Sequence, residues 1–234
     1  WKSRYRRKAA MPPAWPGGHL ARAARHSRMT PAMDPLPGIF FREQALALAR
    51  ASEDIHVGIS TWGQNDERLL LWAAEPIKNG LKLFFQQKPK SSTKQLMGTK
   101  AVEYFNPTYT WTSKLFKGNI SSILKANSDN FHAFQNHVGR VDIIHAHVGY
   151  PAGYIAGLIS KEMRIPYIIT EQMSPFPHKY FINKSGRLIS ELREAYQGAD
   201  KIIAISSALA SAMEQHNLKE ITVIPNLVDE EFFK

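Results

Sequence analysis

Residues 141–171 read VDIIHAHVGYPAGYIAGLISKEMRIPYIITE. VDIIHAH (141–147) is a short apolar run that reads as a buried strand, and IPYIITE (165–171) is a second one. Between them PAGYIAGLISKEM (151–163) reads as a helix with Pro151 at its first position, where the missing N–H has no helical partner to lose. Strand, helix and strand within about thirty residues make a parallel pair joined by a crossover.

The same alternation continues outward. Downstream, residues 184–196 form a helix, KIIAIS (201–206) a strand, SALASAMEQHN (207–217) a helix capped by Ser206 or Ser207, and ITVIPN (221–226) a last strand. Upstream, PLPGIFFREQALALARAS (35–52) gives a proline-rich turn, Gly38, then a helix with Phe41, Ala45, Leu48 and Ala49 at helical spacing. IHVGIST (55–61) and LKLFFQ (81–86) read as strands, and residues 112–138 as a helix broken near Asn127 to Asp129. Strands of continuous β-branched residues alternating with helices predict an α/β fold, a Rossmann-like doubly wound parallel sheet covered on both faces. Ligands of such sheets lie outside the carboxyl ends of the strands, here Thr61, His147, Glu171, Ser206 and Asn226.

A doubly wound domain opens with a central strand, and residues 20–34 supply no convincing one. The expectation is that this first strand is missing or replaced. Residues 1–34 then form an irregular basic tail not native to the domain, residues 35–226 the Rossmann-like domain, and residues 227–234 the start of a linker.

The net charge of +10 is unevenly placed, because residues 1–33 hold Lys2, Arg4, Arg6, Arg7, Lys8, Arg22, Arg25 and Arg28 with no acid. A basic tail attracts anionic surfaces, but no basic and aromatic reading motif accompanies it, so specific nucleic-acid binding is not expected. There are no cysteines, which excludes disulfides and thiolate metal sites. No window reaches the ~20 apolar residues of a membrane span, and the start lacks the apolar core of a secretory signal. A soluble, cytoplasmic protein is expected, with peripheral contact at the inner face of a membrane left open by the tail and by an aromatic loop.

That loop, MSPFPHKYF (173–181), suits either stacking on a sugar or folding back as a lid. His145 and His147 are two apart and share a face of their strand. The spacing can serve a metal, yet no acidic cluster with metal-ligand spacing stands nearby, and a cleft-lining or structural role is the expectation. Gly38 before a helix permits either a tight turn or a phosphate contact. GxGxxG, GxxxxGK[ST] and GxSxG are all absent, so dinucleotide dehydrogenases, P-loop ATPases and α/β-hydrolases lose support.

In order, PLPGIFFREQALALA, VDIIHAHVGYPAGYIAGLIS, IPYIITEQMSPF, ADKIIAISSALASAM and ITVIPNLVD resemble the N-terminal domain of retaining glycosyltransferases of family 4, which have the two-domain GT-B architecture. The resemblance covers residues from about 35 to 234. It implies a parent enzyme that transfers a sugar from a nucleotide-diphosphate sugar to a glycan or lipid-linked acceptor with retention, as in polysaccharide biosynthesis. It implies no cofactor and no metal. This chain would be the acceptor side, with Gly38 near the donor diphosphate and with His147, Tyr150, Glu171 and Ser206 lining the acceptor.

The family's histidine after the fifth strand, which contacts the donor sugar, stands here as Gln172, which is therefore the candidate catalytic position. An amide hydrogen-bonds a hydroxyl but does not titrate near neutral pH. A C-terminal donor domain of the same parent chain is expected beyond Lys234, and without it the fragment is expected to be inactive. Two other readings stay open: a stand-alone module that binds a glycan or lipid-linked sugar without turnover, and a metal-dependent hydrolase using His145 and His147.

Overall fold

The computed structural model describes residues 8–11, 39–63, 90–96, 98–108 and 120–226. In chain order the elements are β1 (Lys8–Met11), α1 (Ile39–Ala51), β2 (His56–Gly63), β3 (Ser92–Gln95), β4 (Ala101–Pro107), α2 (Ile120–Val138), β5 (Ile143–His147), α3 (Tyr154–Met163), β6 (Tyr167–Glu171), α4 (Ser190–Gly198), β7 (Lys201–Ala204), α5 (Ser207–Glu214) and β8 (Ile221–Val223). The eight described strands form one sheet in the order β3-β4-β2-β1-β5-β6-β7-β8. Every pairing is parallel except that of β3 with β4.

The central strand is present, contrary to expectation. KAAM (8–11) pairs with β2 on one side, Ala9 opposite Val57, and with β5 on the other, Ala9 opposite Ile143. Residues 8–11 therefore belong to the domain and not to an irregular tail. Four residues with a lysine and no β-branched side chain carry no hydrophobic run, and the strand is defined instead by backbone pairing on both edges.

Strands β3 and β4 were not anticipated. STKQ is exposed throughout and polar, as suits a short edge strand that must not recruit another chain. The strand expected at 81–86 lies outside the described residues, as do residues 112–119 of the helix expected at 112–138.

From β1 the chain passes through α1 to β2, on one side of the centre. From β4 it crosses through α2 to β5, on the other side, and then steps through β6, β7 and β8. The reversal falls between β1 and β5, which makes the carboxyl ends of these two strands the switch point of the sheet. Alternate residues of β2 show that the two connecting helices lie on opposite faces. Val57 packs with Ala45, Leu46 and Ala49 of α1, whereas a Cβ on Gly58 would lie 2.4 Å from Phe134 Cδ2 of α2. The larger core joins α2, α3 and α4 to the sheet through Phe134, Ile144, Ile155, Ile169 and Leu192.

Helix α2 is unbroken, where a break was expected near Asn127. Asn127 and Asn130 face inward, each 2% exposed, and are fully engaged. Ser60 Oγ donates to Asn127 Oδ1, Asn127 Nδ2 donates to the Ile123 carbonyl, and Asn106 Nδ2 donates to Asn130 Oδ1. Asparagines that look like helix breakers in sequence are here buried polar groups satisfied across the helix–sheet interface. Two helix starts also differ. Pro151 sits in a wide π turn, Gly149–Gly153, ahead of α3. Helix α4 begins only at Ser190, because Asn183 Oδ1 accepts from the amides of Ser185 and Arg187 and closes a turn there.

Candidate functional site

Strand β5 ends at the switch point on His145 and His147, whose rings stack at 4.5 Å between centroids. His145 Nε2 lies 2.7 Å from Thr170 Oγ1 on β6. Burial pushes its pKa down to about 4. His147 is 1% exposed, and Phe41 of α1 lies against its other side at 4.5 Å. Burial, then the neighbouring His145, hold the His147 pKa well below the usual histidine range. Both imidazoles are therefore neutral at pH 7. Among the described residues, His147 Nε2 is buried with no hydrogen-bond partner. A second such atom is Trp62 Nε1, at the end of β2.

Gln172 leaves β6 beside this pair, with Nε2 3.4 Å from His147 Nδ1. Its Oε1 accepts from Asn226 Nδ2 at 3.4 Å, and Asn226 Oδ1 accepts from Gln44 Nε2 at 3.2 Å. The site thus draws on α1, β5, β6 and the segment after β8, all at the carboxyl edge of the sheet.

Glu171 points to the opposite face. It is fully buried, and its carboxylate accepts from the amides of Gly149 at 2.9 Å, Gln172 at 2.8 Å and Met173 at 2.7 Å, and from the Tyr196 hydroxyl. Burial first, then the carboxylate beside it, hold the Tyr196 pKa well above the phenol range. Expected to line the acceptor side, Glu171 instead ties the loop after β5, the loop after β6 and α4 together. Every described contact of its carboxylate is internal.

The other expected residues are more dispersed. Tyr150 is half-buried, and its ring neighbours are Tyr154 and Phe181. Burial, then Glu191 and Tyr154, push its pKa up to about 12. Ser206 is exposed after β7 and caps α5, its hydroxyl accepting from the Leu209 amide at 3.2 Å. Gly38 lies outside the described residues. The loop at 173–181 folds back on the domain through Phe181, 7% exposed, and through Phe176 against Tyr196 and His216, while Tyr180 stays exposed.

Sequence reasoning missed Phe41, Gln44 and Thr170 as neighbours of the site. Gln44 had a signal, a lone amide between Phe41 and the apolar run ALALA. Asn226 was marked only as the end of a strand. Among the described residues, no three His, Cys, Asp or Glu converge as a metal site, and no helix is long and apolar enough to cross a membrane.

Fold and site together define a Rossmann-like α/β domain with a buried polar atom at its switch point that has no partner among the described residues. A family model for Glycosyltransferase Family 4 matches residues 99–232, more than half of the chain, and the chain belongs to that family. No match was found among curated protein sequences. Similar solved structures include a UDP-GlcNAc 2-epimerase from Neisseria meningitidis bound to UDP-GlcNAc, at 11% identity and TM-score 0.46, with 94% of this chain and 45% of that chain covered. Another is a UDP-N-acetylglucosamine 2-epimerase at 10% identity and TM-score 0.45, with 94% and 48% covered. The chain spans less than half the length of either.

Proposed function

We propose that this chain forms the acceptor-side half of a retaining glycosyltransferase, which transfers a hexose from a nucleotide-diphosphate sugar to a glycan or lipid-linked acceptor. Family membership supports the sugar chemistry. The observation that carries the acceptor role is His147 Nε2, a buried polar atom at the switch point with no partner among the described residues. A sugar hydroxyl placed there would complete its hydrogen bonding, and the Phe41 ring beside it offers an apolar wall.

In this reading the half-site orients the acceptor. A neutral imidazole aligns a hydroxyl without adding charge, and the Glu171 lattice holds the loops after β5 and β6 at fixed separation, which is the positional contribution to rate. The donor diphosphate would be gripped by a second Rossmann-like domain of the parent chain. Peripheral contact with an anionic membrane surface fits the same reading, with Lys179, Tyr180, Lys184 and Arg187 exposed on one stretch.

Ligand-observed NMR of the chain against free oligosaccharides, lipid-linked sugars and UDP-sugars tests this. The expected result is binding of a glycan or lipid-linked sugar with no transfer. Sugar transfer catalysed by the chain alone would contradict the half-site reading.

A further inference from the structure

Four polar side chains from four parts of the chain meet end to end above the sheet. Gln44 Nε2 donates to Asn226 Oδ1, Asn226 Nδ2 donates to Gln172 Oε1, and Gln172 Nε2 faces His147 Nδ1. Each amide gives this row one acceptor oxygen and one donor nitrogen, so the sense of any one link dictates the next. Read from Gln44, every link donates toward the histidine. Nδ1 of a neutral His147 must then accept, and the ring proton resides on Nε2. That is the atom left without a partner among the described residues.

We propose that Gln44, Asn226 and Gln172 form a positioning relay that holds His147 as its Nε2–H tautomer, leaving an N–H donor at the switch point of the sheet. Gln172 has its oxygen engaged by Asn226 and one N–H by His147, so part of its effect on a ligand passes through His147. The ligand class, a sugar hydroxyl, rests on the proposed function; the tautomer does not. The relay also ties His147 to Asn226, at the end of the last described segment, and to the first helix.

Long-range proton–nitrogen spectra of the 15N-labelled chain at pH 7 read the tautomer directly, with His147 assigned by its loss in His147→Phe. The wild-type ring should be protonated on Nε2. A carboxylate only accepts, so Asn226→Asp must receive from both Gln44 and Gln172. Gln172 then turns its oxygen to His147, and the proton moves to Nδ1. Gln44→Glu reverses the row from its far end, with the same expected shift to Nδ1–H. Wild-type protonation on Nδ1, a doubly protonated ring in any of the three proteins, or an unchanged tautomer in either acidic variant would overturn the relay. Addition of lactose, maltose or chitobiose separates the two claims. Perturbation of the His147 signal supports the sugar as ligand, whereas no perturbation by any of them counts against the proposed function and leaves the tautomer result standing.

Discussion

His145 and His147 sit two residues apart on one strand and are neutral for the same reason, yet their expected consequences differ. For His145 the consequence is pH-dependent stability. Its folded pKa of about 4 lies below the ordinary value of 6.5, so between these values the unfolded chain binds more protons. Stability is complete above pH 6.5 and is lost as pH falls toward 4, by about 3 kcal/mol at full protonation. Urea titrations at pH 7, 5.5 and 4.5 should show this decline, and His145→Asn should make it shallower, the remainder coming from His147, whose folded pKa is also held low. An equal slope in the variant would remove His145 as its source. For His147 the proposed consequence is ligand contact, because its Nε2 has no partner among the described residues.

Glu171 is the other residue with a sharp expectation. Replacing it with alanine strands three buried amides and the Tyr196 hydroxyl, a cost on the order of 3–5 kcal/mol. Tyr196→Phe removes a single link and should cost about 1–2 kcal/mol. Chemical denaturation of both variants checks the order, and an alanine variant as stable as wild type would show that the carboxylate lattice does not organise the loops.

At the scale of elements, Gly58 and Ser206 test how helices seat on the sheet. A Cβ at residue 58 meets the Phe134 ring at 2.4 Å, so Gly58→Ala should cost about 1–3 kcal/mol by displacing α2 or its aromatic side chain. Ser206→Ala removes the α5 cap and should cost about 1 kcal/mol. Thermal unfolding of the pair should rank Gly58→Ala the more damaging, and the reverse order would place the tighter constraint at α5.

These elements also show what the sequence could express. Strands β5, β6, β7 and β8 are apolar runs bounded by polar turns, and the Ser206 cap precedes its helix by one residue, so local pattern sufficed for them. KAAM has no pattern of its own and becomes a strand only because β2 and β5 offer both edges. STKQ is similar, a polar edge identified by its partner AVEYFNP. Asn127 misled for the converse reason, because local preference favours a break while Ser60 supplies a long-range partner, as Thr61 and Asn106 do for Asn130 one turn on. Within the site, strand-end logic pointed to His147 and Asn226, and the family resemblance to Gln172. The face on which Glu171 points and the convergence of Gln44 with Asn226 depend on the folded sheet.

For the whole molecule, the switch point between β1 and β5 decides where a ligand can lie, and the relay, the stacked histidines and Phe41 all gather there. His147 is the proposed acceptor-side contact. Isothermal titration of the wild-type chain and of His147→Phe with the best-binding oligosaccharide or lipid-linked sugar tests it most directly. The expected result is a loss of at least about tenfold in affinity, near 1.4 kcal/mol, with folding unchanged. Equal affinity in the two proteins would contradict it.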